Sequence, residues 1–376
     1  MLSETGDPWL LTPGPLTTSL SVKQAMLHDW GSRDHAFIEM TARVREKLAG
    51  LVEASDTHVC VPIQGSGTFV VEATIATLLP RDGKLLVLVN GAYGQRMVAI
   101  CRYLGRACLA QETTEDTPND IAALDRALAG DKTITHVAAI HCETTSGILN
   151  PVGEAAACVK RHGRSLIIDA MSALGALPLD GGRVPFDAVV ASSNKCLEGV
   201  PGIGFAIIRK SVIEGCKGNS HSLSLDLYEQ WRGLEGNGQW RFTPPTHVLA
   251  ALDQAIAEHE AEGGVAGRGA RYAANCRALI AGMREMGFRP LLSDNLQAPI
   301  IVTFHMPGDP AFDFEKFYRR VGEKGFLIYP GKLTVAPSFR VGCIGRLGVP
   351  EIERALQAIR DAIRELGVTA LGPARS

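Results

Sequence analysis

Residues 186–202, FDAVVASSNKCLEGVPG, are the segment from which the fold is inferred first. The apolar run near its start is bounded by turn residues, which predicts a buried β-strand. Lys195 follows that run, after two serines and an asparagine, so it is predicted to lie in a polar loop at the carboxyl end of the strand. Open α/β sheets bind their ligands at that edge. Taken alone, the segment fits a ligand-binding lysine and a solvated loop lysine equally well.

A second apolar run, in residues 164–173, predicts another buried strand, which ends in Asp169. An acid and a lysine at two neighbouring strand ends predict a site for pyridoxal phosphate. In such a site the lysine holds the cofactor as a Schiff base, and the aspartate keeps the pyridinium nitrogen protonated, so that the ring acts as an electron sink. An aspartate at a strand end is also often a loop cap, so these two residues leave a structural role open.

Length, charge and cysteine usage limit the classes of protein to which the chain can belong. Its 376 residues predict two domains, because single cores seldom grow past roughly 250 to 300 residues. A formal charge of −2 leaves no basic face for nucleic acid. The first residues lack a secretory signal pattern, and no apolar run approaches the roughly 20 residues of a membrane span. The nine cysteines show no C-x-x-C pairing, so we expect reduced thiols, a cytoplasmic location and no membrane partner, with Cys196 as the cysteine whose reactivity needs checking.

Three further loops contain residue types that a planar, phosphorylated ligand requires. Gly65–Thr68 precede a helical pattern, so their backbone N–H groups and two hydroxyls form a candidate phosphate cradle, although the lysine and spacing of a P-loop are absent. Tyr93, in a predicted loop after a strand, offers an aromatic face for stacking. Residues 142–147 are rich in hydroxyl groups suited to a phenolic or phosphate oxygen. By itself the GSGT turn is weak evidence, and an isolated loop tyrosine is more often a packing residue.

The order strand, ligand loop, helix recurs through residues 60–210, which predicts a mostly parallel sheet with helices on both faces. Right-handed crossovers then bring the ligand loops to one edge. Residues 29–35 are predicted as a polar loop before a helix at 41–51, and a domain boundary is predicted near residue 260. Arg340 lies among apolar residues of a C-terminal strand, where a buried arginine usually has an anionic partner.

These motifs together resemble the class V aminotransferases of pyridoxal phosphate fold-type I over nearly the whole chain. The resemblance rests on LTPGP (11–15), DWGSRD (29–34), GSGT (65–68), NGAYGQR (90–96), SSNKC (192–196), FTPPTH (242–247) and FRVG (339–342). It implies an α/β fold with an N-terminal arm (1–20), a large domain (21–260) built on a mostly parallel seven-stranded sheet, and a smaller C-terminal α+β domain (261–376).

The resemblance also implies roles for single residues. Lys195 is similar to the Schiff-base lysine and Asp169 to the pyridinium partner. The other implied cofactor contacts are the phosphate cup Ser66, Gly67 and Thr68, the stacking Tyr93, and the hydrogen-bonding Thr145 and Ser193. Thr243 resembles a residue that reaches the cofactor phosphate of the neighbouring subunit, which implies a homodimer with shared active sites. Arg340 resembles an arginine that binds a substrate carboxylate, and Arg33 with the N-terminal arm is the predicted phosphonate pocket.

The activity that the resemblance implies is transfer of the amino group of 2-aminoethylphosphonate to pyruvate, which gives phosphonoacetaldehyde and L-alanine. An alanine:glyoxylate or serine:pyruvate aminotransferase is the alternative, because it would share the cofactor contacts and differ in the pocket. A cofactor-binding regulator without turnover is a third possibility. The absence of a fused DNA-binding segment and the presence of both Lys195 and Asp169 disfavour it. No metal site is predicted.

Overall fold

A computed structural model describes residues 2–333 and 336–373 of the chain. The strands are β1 (Trp9–Leu10), β2 (His58–Gln64), β3 (Lys84–Val89), β4 (Ala107–Glu112), β5 (Ile134–Ile140), β6 (Cys142–Glu143), β7 (Ile148–Leu149), β8 (Ser165–Asp169), β9 (Ala188–Ser192), β10 (Ile203–Arg209), β11 (Ile301–His305), β12 (Phe326–Leu327), β13 (Tyr329–Pro330) and β14 (Ser338–Gly342). The α-helices are α1 (Leu20–Gln24), α2 (His35–Gly50), α3 (Gly67–Leu78), α4 (Ala92–Tyr103), α5 (Ile121–Gly130), α6 (Val152–Arg161), α7 (Lys210–Ile213), α8 (Leu227–Asn237), α9 (Thr246–Ala261), α10 (Gly264–Met286), α11 (Phe314–Glu323) and α12 (Val349–Leu366).

Seven strands form one sheet in the order β2, β10, β9, β8, β5, β3, β4. All neighbours are parallel except β10, which is antiparallel to both β2 and β9. The prediction of a mostly parallel sheet is therefore confirmed. Because only β10 runs the other way, the carboxyl ends of β2, β3, β5, β8 and β9 meet at one edge, where the ligand loops lie.

Helices cover both faces of this sheet, which explains why the strands are continuous apolar runs. On one face, α2, α5, α6 and α9 pack over the sheet and bury side chains such as Val44 and Leu128. On the other face, α3, α4 and α8 bury Ile75 and Met97. Neighbouring residues of one strand point to opposite faces, and each fully buried aliphatic side chain contributes roughly 1.5 to 3 kcal/mol.

The C-terminal part has a core of its own. Strands β11, β14 and β13 form an antiparallel sheet, on which α10, α11 and α12 pack. Helix α10 contributes to both cores, since Tyr272 packs with the large sheet and Leu279 with the small one. The limits 21–260 and 261–376 therefore stay predictions, although α9 ends at Ala261 and the change of core follows it.

The N-terminal arm packs on the C-terminal part before it crosses to the sheet edge. Strand β1 pairs in parallel with β12, and Trp9 and Leu11 belong to the core of the small sheet. Residues 12–15 then pass over Lys195, where Pro13 accepts a hydrogen bond from the lysine. The arm thus becomes a wall of the ligand edge.

Two local predictions are wrong. Helix α2 begins at His35 rather than near residue 41, because the Asp34 side chain accepts a hydrogen bond from the His35 N–H and caps the helix. Tyr93 lies in the first turn of α4 and not in a loop, because Glu143 accepts hydrogen bonds from the backbone of this turn. Among the residues that the structure describes, no helix is long and apolar enough to cross a membrane.

Candidate active site

A cavity of about 430 Å³ opens at the sheet edge where the ligand loops meet. Its lining includes Gly65–Thr68 after β2, Tyr93 after β3, Thr144 after β6, Asp169 at the end of β8 and Lys195 after β9. The structure therefore brings together most of the residues that the sequence predicts as cofactor contacts. Ligand pockets commonly measure roughly 300 to 1,000 Å³, so the cavity has the size of a small-molecule site.

Lys195 lines the cavity where the N-terminal arm passes over it. Its Nζ donates a hydrogen bond of 2.6 Å to the backbone oxygen of Pro13. A Cβ atom on Gly14 would lie 2.6 Å from Cδ of Lys195, and Gly14 has a φ of 110°, so only glycine lets the arm close over the lysine. Burial lowers the pKa of Lys195, which makes its neutral, nucleophilic form more accessible than in solvent.

Asp169 is a buried acid that faces the same space. Its Oδ1 accepts a 2.8 Å hydrogen bond from the backbone N–H of Met171. Burial raises the pKa of Asp169 to about 6. No ion pair to this carboxylate exists in residues 2–333 and 336–373. A cation placed in the cavity would therefore stabilise it, and a protonated ring nitrogen is such a cation.

The segment before α3 has the features of a phosphate cradle. Ser66 is the N-cap of this 12-residue helix, and its side chain makes no capping hydrogen bond. Thr68 accepts a 3.1 Å hydrogen bond from Arg96, which also lines the cavity. A Cβ atom on Gly67 would lie 2.5 Å from Sδ of Met171, so the close approach requires a residue without a side chain. A helix amino terminus with an adjacent arginine favours a bound anion.

Tyr93 is surrounded by positive charge. The guanidinium carbon of Arg96 lies 4.8 Å from its ring centroid, and Nζ of Lys332 lies 5.2 Å from it. Burial alone would raise the pKa of Tyr93, but the charge of Lys195, a hydrogen bond and further nearby cations lower it. Sequence reasoning assigned no role to Arg96. Arg96 follows Tyr93 by three residues, and residues three apart on a helix lie on the same face. This spacing is the sequence signal that could have identified Arg96.

Two predicted hydroxyl contacts do not reach the cavity. Ser193 is fully buried, and its Oγ lies within hydrogen-bond distance of the backbone oxygens of Val200 and Ile203. The preceding Ser192 lines the cavity instead, and its buried Oγ has no hydrogen-bond partner in the described part of the chain. The physical reason is the two-residue period of a strand, because a shift of one residue moves a side chain to the other face.

Thr145, in the turn after β6, also does not line the cavity. Its Oγ1 donates a 2.7 Å hydrogen bond to Glu143 and accepts one of 2.9 Å from the backbone N–H of Ala92. Thr144 lines the cavity in its place. Glu143, which is fully buried, also accepts the N–H of Tyr93. Thr145 thus helps to fix the first turn of α4, which orients Tyr93.

Arg340 lies directly behind the cavity wall on β14. It is 1 % exposed, and its guanidinium donates to the backbone oxygens of Pro330 and Thr144 at 3.1 and 2.8 Å. The expected anionic partner is absent from the residues that the structure describes, and burial lowers the pKa of Arg340. A guanidinium has five N–H donors, so this arginine keeps donors for an incoming carboxylate.

Arg33 and Thr243 do not line the cavity. Both belong to a separate surface cleft of about 300 Å³, lined by Ser32, Arg33, Gln239, Trp240, Arg241, Phe242, Thr243 and Pro244. The cleft has two arginines and no carboxylate in its lining. Within the described ranges, the Arg33 side chain makes no hydrogen bond or ion pair. The structure of a single chain therefore separates these two residues from the other predicted contacts.

Cys196 lacks the solvent exposure that a reactive thiol requires. It is fully buried, and its Sγ donates to the backbone oxygen of Ser172. Burial raises the pKa of Cys196 to about 12, so the thiolate is scarce at neutral pH. All nine cysteines are free thiols, as the spacing predicted.

Comparison with known proteins gives the family. The model of the family described as aminotransferase class-V matches residues 20–342. The chain belongs to the class V aminotransferases. It is 57 % identical over 362 residues to 2-aminoethylphosphonate–pyruvate transaminase 2 of Burkholderia lata, with 96 % of each chain covered. It is 55 % identical over 361 residues to 2-aminoethylphosphonate–pyruvate transaminase of Pseudomonas putida KT2440, covering 96 % of this chain and 98 % of the relative.

Solved structures support the fold. The crystal structure of an alanine–glyoxylate aminotransferase from Nostoc superposes with a TM-score of 0.89 at 22 % identity, covering 95 % of this chain and 96 % of that one. The fold is therefore that of the fold-type I aminotransferases, and the family implies pyridoxal phosphate as cofactor. The cavity fits this group, because it combines the amino terminus of α3, a buried acid without an ion pair, a lysine and a buried Ser192 Oγ that has no hydrogen-bond partner among the described residues.

Proposed function

We propose that this class V aminotransferase transfers the amino group of 2-aminoethylphosphonate to pyruvate, and so forms phosphonoacetaldehyde and L-alanine. The observation that carries the proposal is the meeting of Lys195, Asp169 and the cradle of Gly65–Thr68 in one cavity, with Arg340 behind its wall. The names of relatives at 55 to 57 % identity support this choice of substrates. We also propose a cytoplasmic location, which the nine free thiols support.

Pyridoxal phosphate, when bound, supplies an electron sink for the charge that remains when the substrate carbon loses its proton. Ser66, Gly67 and Thr68 would hold its phosphate at the amino terminus of α3, and Tyr93 would stack on its ring. Asp169 would pair with the ring nitrogen and keep it protonated.

Lys195 has two proposed tasks, and both use its Nζ atom. This atom would hold the cofactor covalently, and as a free amine it would take up and pass on the proton that the substrate carbon loses. Its lowered pKa suits the second task, because a neutral amine can accept that proton. Closure of the arm over the lysine, through Pro13 and Gly14, excludes water from this atom.

Two different anions must use the pocket in turn. We propose that Arg340 binds the carboxylate of pyruvate and alanine, because its planar fork can form two parallel hydrogen bonds. Arg33 is proposed to bind the phosphonate. Since Arg33 lies with Thr243 in a cleft outside the cavity, both residues are proposed to act in the active site of a neighbouring subunit.

The proposed assembly is a homodimer with two shared active sites. Two exposed aromatic side chains support it: Phe69, beside the phosphate cradle, is 50 % exposed, and Phe242, beside Thr243, is 46 % exposed. An interface at these two segments would remove both apolar side chains from water. Contact between them would join the cleft of one chain to the cavity of the other.

The experiment that tests the activity compares kcat/KM for two substrate pairs. We expect 2-aminoethylphosphonate with pyruvate to be preferred over alanine with glyoxylate. If the second pair, or serine with pyruvate, is preferred, the alternative activity within the same family is correct. Absence of turnover with any pair, in protein that binds the cofactor, would instead favour a binding role.

A further inference from the structure

A cluster of three metal-ligating side chains lies outside the cofactor cavity. It consists of Asp125 on α5, Cys158 on α6 and His162 directly after α6, and their ligand atoms all lie within 4.8 Å of one another. Nε2 of His162 is 2.9 Å from Oδ1 of Asp125, and Sγ of Cys158 is 3.5 Å from the same oxygen. None of the three lines the cavity, and the proposed transamination uses none of them.

The sequence places the cluster on rigid elements. Cys158 and His162 are four residues apart, so they lie on the same side of α6 at its last turn. The carboxyl end of a helix favours positive charge, which a bound cation would supply. Asp125 faces them from α5, a helix that packs beside α6 on the same face of the sheet. Two ligands thus lie on packed helices, and the third follows directly after one of them.

The distances fit a tetrahedral ion. With metal bonds of roughly 2.0 to 2.3 Å, tetrahedral angles separate nitrogen, oxygen and sulfur ligands by roughly 3.3 to 3.7 Å. The separations of 2.9 and 3.5 Å from Oδ1 of Asp125 are within a few tenths of an ångström of that range, and all three ligand atoms lie within 4.8 Å of one another. The Cys158 thiol lies on the side of the cluster that faces the protein core, because it is fully buried. The Asp125 and His162 side chains are 48 % and 18 % exposed. Water can therefore occupy the fourth position.

We propose that Asp125, Cys158 and His162 bind a zinc ion, with water as the fourth ligand. A mixed sulfur, nitrogen and oxygen set suits zinc, whereas magnesium and calcium require oxygen ligands. Binding removes the proton from the Cys158 thiol and releases it to solvent. Arg161 opposes the ion, because its Nη2 donates a 3.0 Å hydrogen bond to Oδ1 of Asp125. Its side chain is 62 % exposed and can swing into solvent when the metal enters.

The test is calorimetric titration of zinc chloride into metal-free holoenzyme, in two buffers that differ in ionisation enthalpy. We expect one zinc ion and about one released proton per chain, as deprotonation of one thiol requires. His162→Gln and Cys158→Ser should each weaken binding by at least about tenfold, since loss of an outer partner alone costs that much. Cys158→Ser should also abolish the proton release.

Two further variants make the result decisive. Arg161→Ala removes the competitor for Asp125 and should bind zinc at least as tightly as the wild type. Cys216→Ser is the control, because Cys216 is a buried thiol outside the cluster that donates to a backbone oxygen, and its loss should leave affinity and proton release unchanged. If wild-type protein shows no saturable zinc site, or binds zinc equally well after His162→Gln, the proposal is overturned. The partly exposed His162 keeps the test valid even if Cys158→Ser does not fold.

Discussion

The cavity at the sheet edge and the cleft that contains Arg33 and Thr243 differ in how far one chain completes them. In the cavity, the arm covers Lys195, Met171 binds Asp169 and Arg96 binds Thr68, so most functional groups already have a partner within the chain. In the cleft, two arginines share the lining with an exposed aromatic and no acid. One chain therefore positions the groups that are proposed to hold the cofactor, whereas binding of the phosphonate is proposed to need a second chain.

Replacement of Lys195 should have the largest effect, because both the proposed covalent link and the proposed proton transfer depend on its amine. Lys195→Ala is expected to lower kcat by at least about a thousandfold, within the range of lost acid–base catalysis, while the cofactor stays bound through its phosphate. Lys217→Ala removes an exposed lysine that does not line the cavity and is the control. Turnover by Lys195→Ala within tenfold of the wild type would contradict the assignment.

Asp169→Asn tests whether the buried carboxylate of Asp169 is stabilised by a cation that binds in the cavity. Its pKa is raised from 3.8 to about 6, so the folded apoprotein holds the proton more tightly than the unfolded chain does. The free energy of unfolding therefore falls as pH rises from about 4 to about 6, by up to about 3 kcal/mol. Above about pH 6 the asparagine variant should have a larger free energy of unfolding than wild-type apoprotein. Below about pH 4 the free energies of unfolding of the two apoproteins should converge.

Bound cofactor should reverse the order of the two proteins, because the ring nitrogen then compensates the charge of Asp169. Urea unfolding of apo and holo forms at several pH values measures both effects. Single-turnover kinetics of the holo variant should in addition show a slower chemical step. Equal stability of the two apoproteins at every pH, together with unchanged kinetics, would make Asp169 a loop cap.

Arg340→Lys keeps the charge and removes the planar fork. We expect the half-reactions of pyruvate and alanine to lose about 1.5 to 3 kcal/mol in kcat/KM, the value of a hydrogen bond to a charged group. The half-reaction of 2-aminoethylphosphonate should change much less, which makes it the internal control. An equal loss in both half-reactions would mean that Arg340 supports the cavity wall through Thr144 and Pro330 and does not select the carboxylate.

A mixed dimer tests the cleft directly. A chain with Lys195→Ala, co-expressed with a chain carrying Arg33→Ala or Thr243→Ala, forms one intact site per heterodimer if the cleft acts in the other subunit. Random pairing then restores about a quarter of wild-type activity towards 2-aminoethylphosphonate, since half of the dimers are mixed and half of their sites are intact. Activity no higher than that expected from the single variants would place Arg33 and Thr243 in the site of their own chain.

The sequence by itself determined the elements and the chemistry at the sheet edge. Alternation of apolar runs and helical patterns predicted the parallel sheet, and strand-end positions predicted that Lys195, Asp169 and Gly65–Thr68 would meet, because parallel strands end at the same edge. Local patterns suffice for this, since the period of each element and the hand of the crossovers are general properties of the backbone. The free thiols followed from spacing in the same way.

Only the tertiary structure decided which side chains face the cavity. Ser192 and Thr144 line it instead of Ser193 and Thr145, because the exact end of each strand sets the direction of every hydroxyl beyond it. The packing of α4 brought Arg96 to the cradle, and the path of the chain placed Arg33 beside residues more than two hundred positions away. Such outcomes depend on contacts between segments that are distant in sequence, which no local pattern of residues encodes.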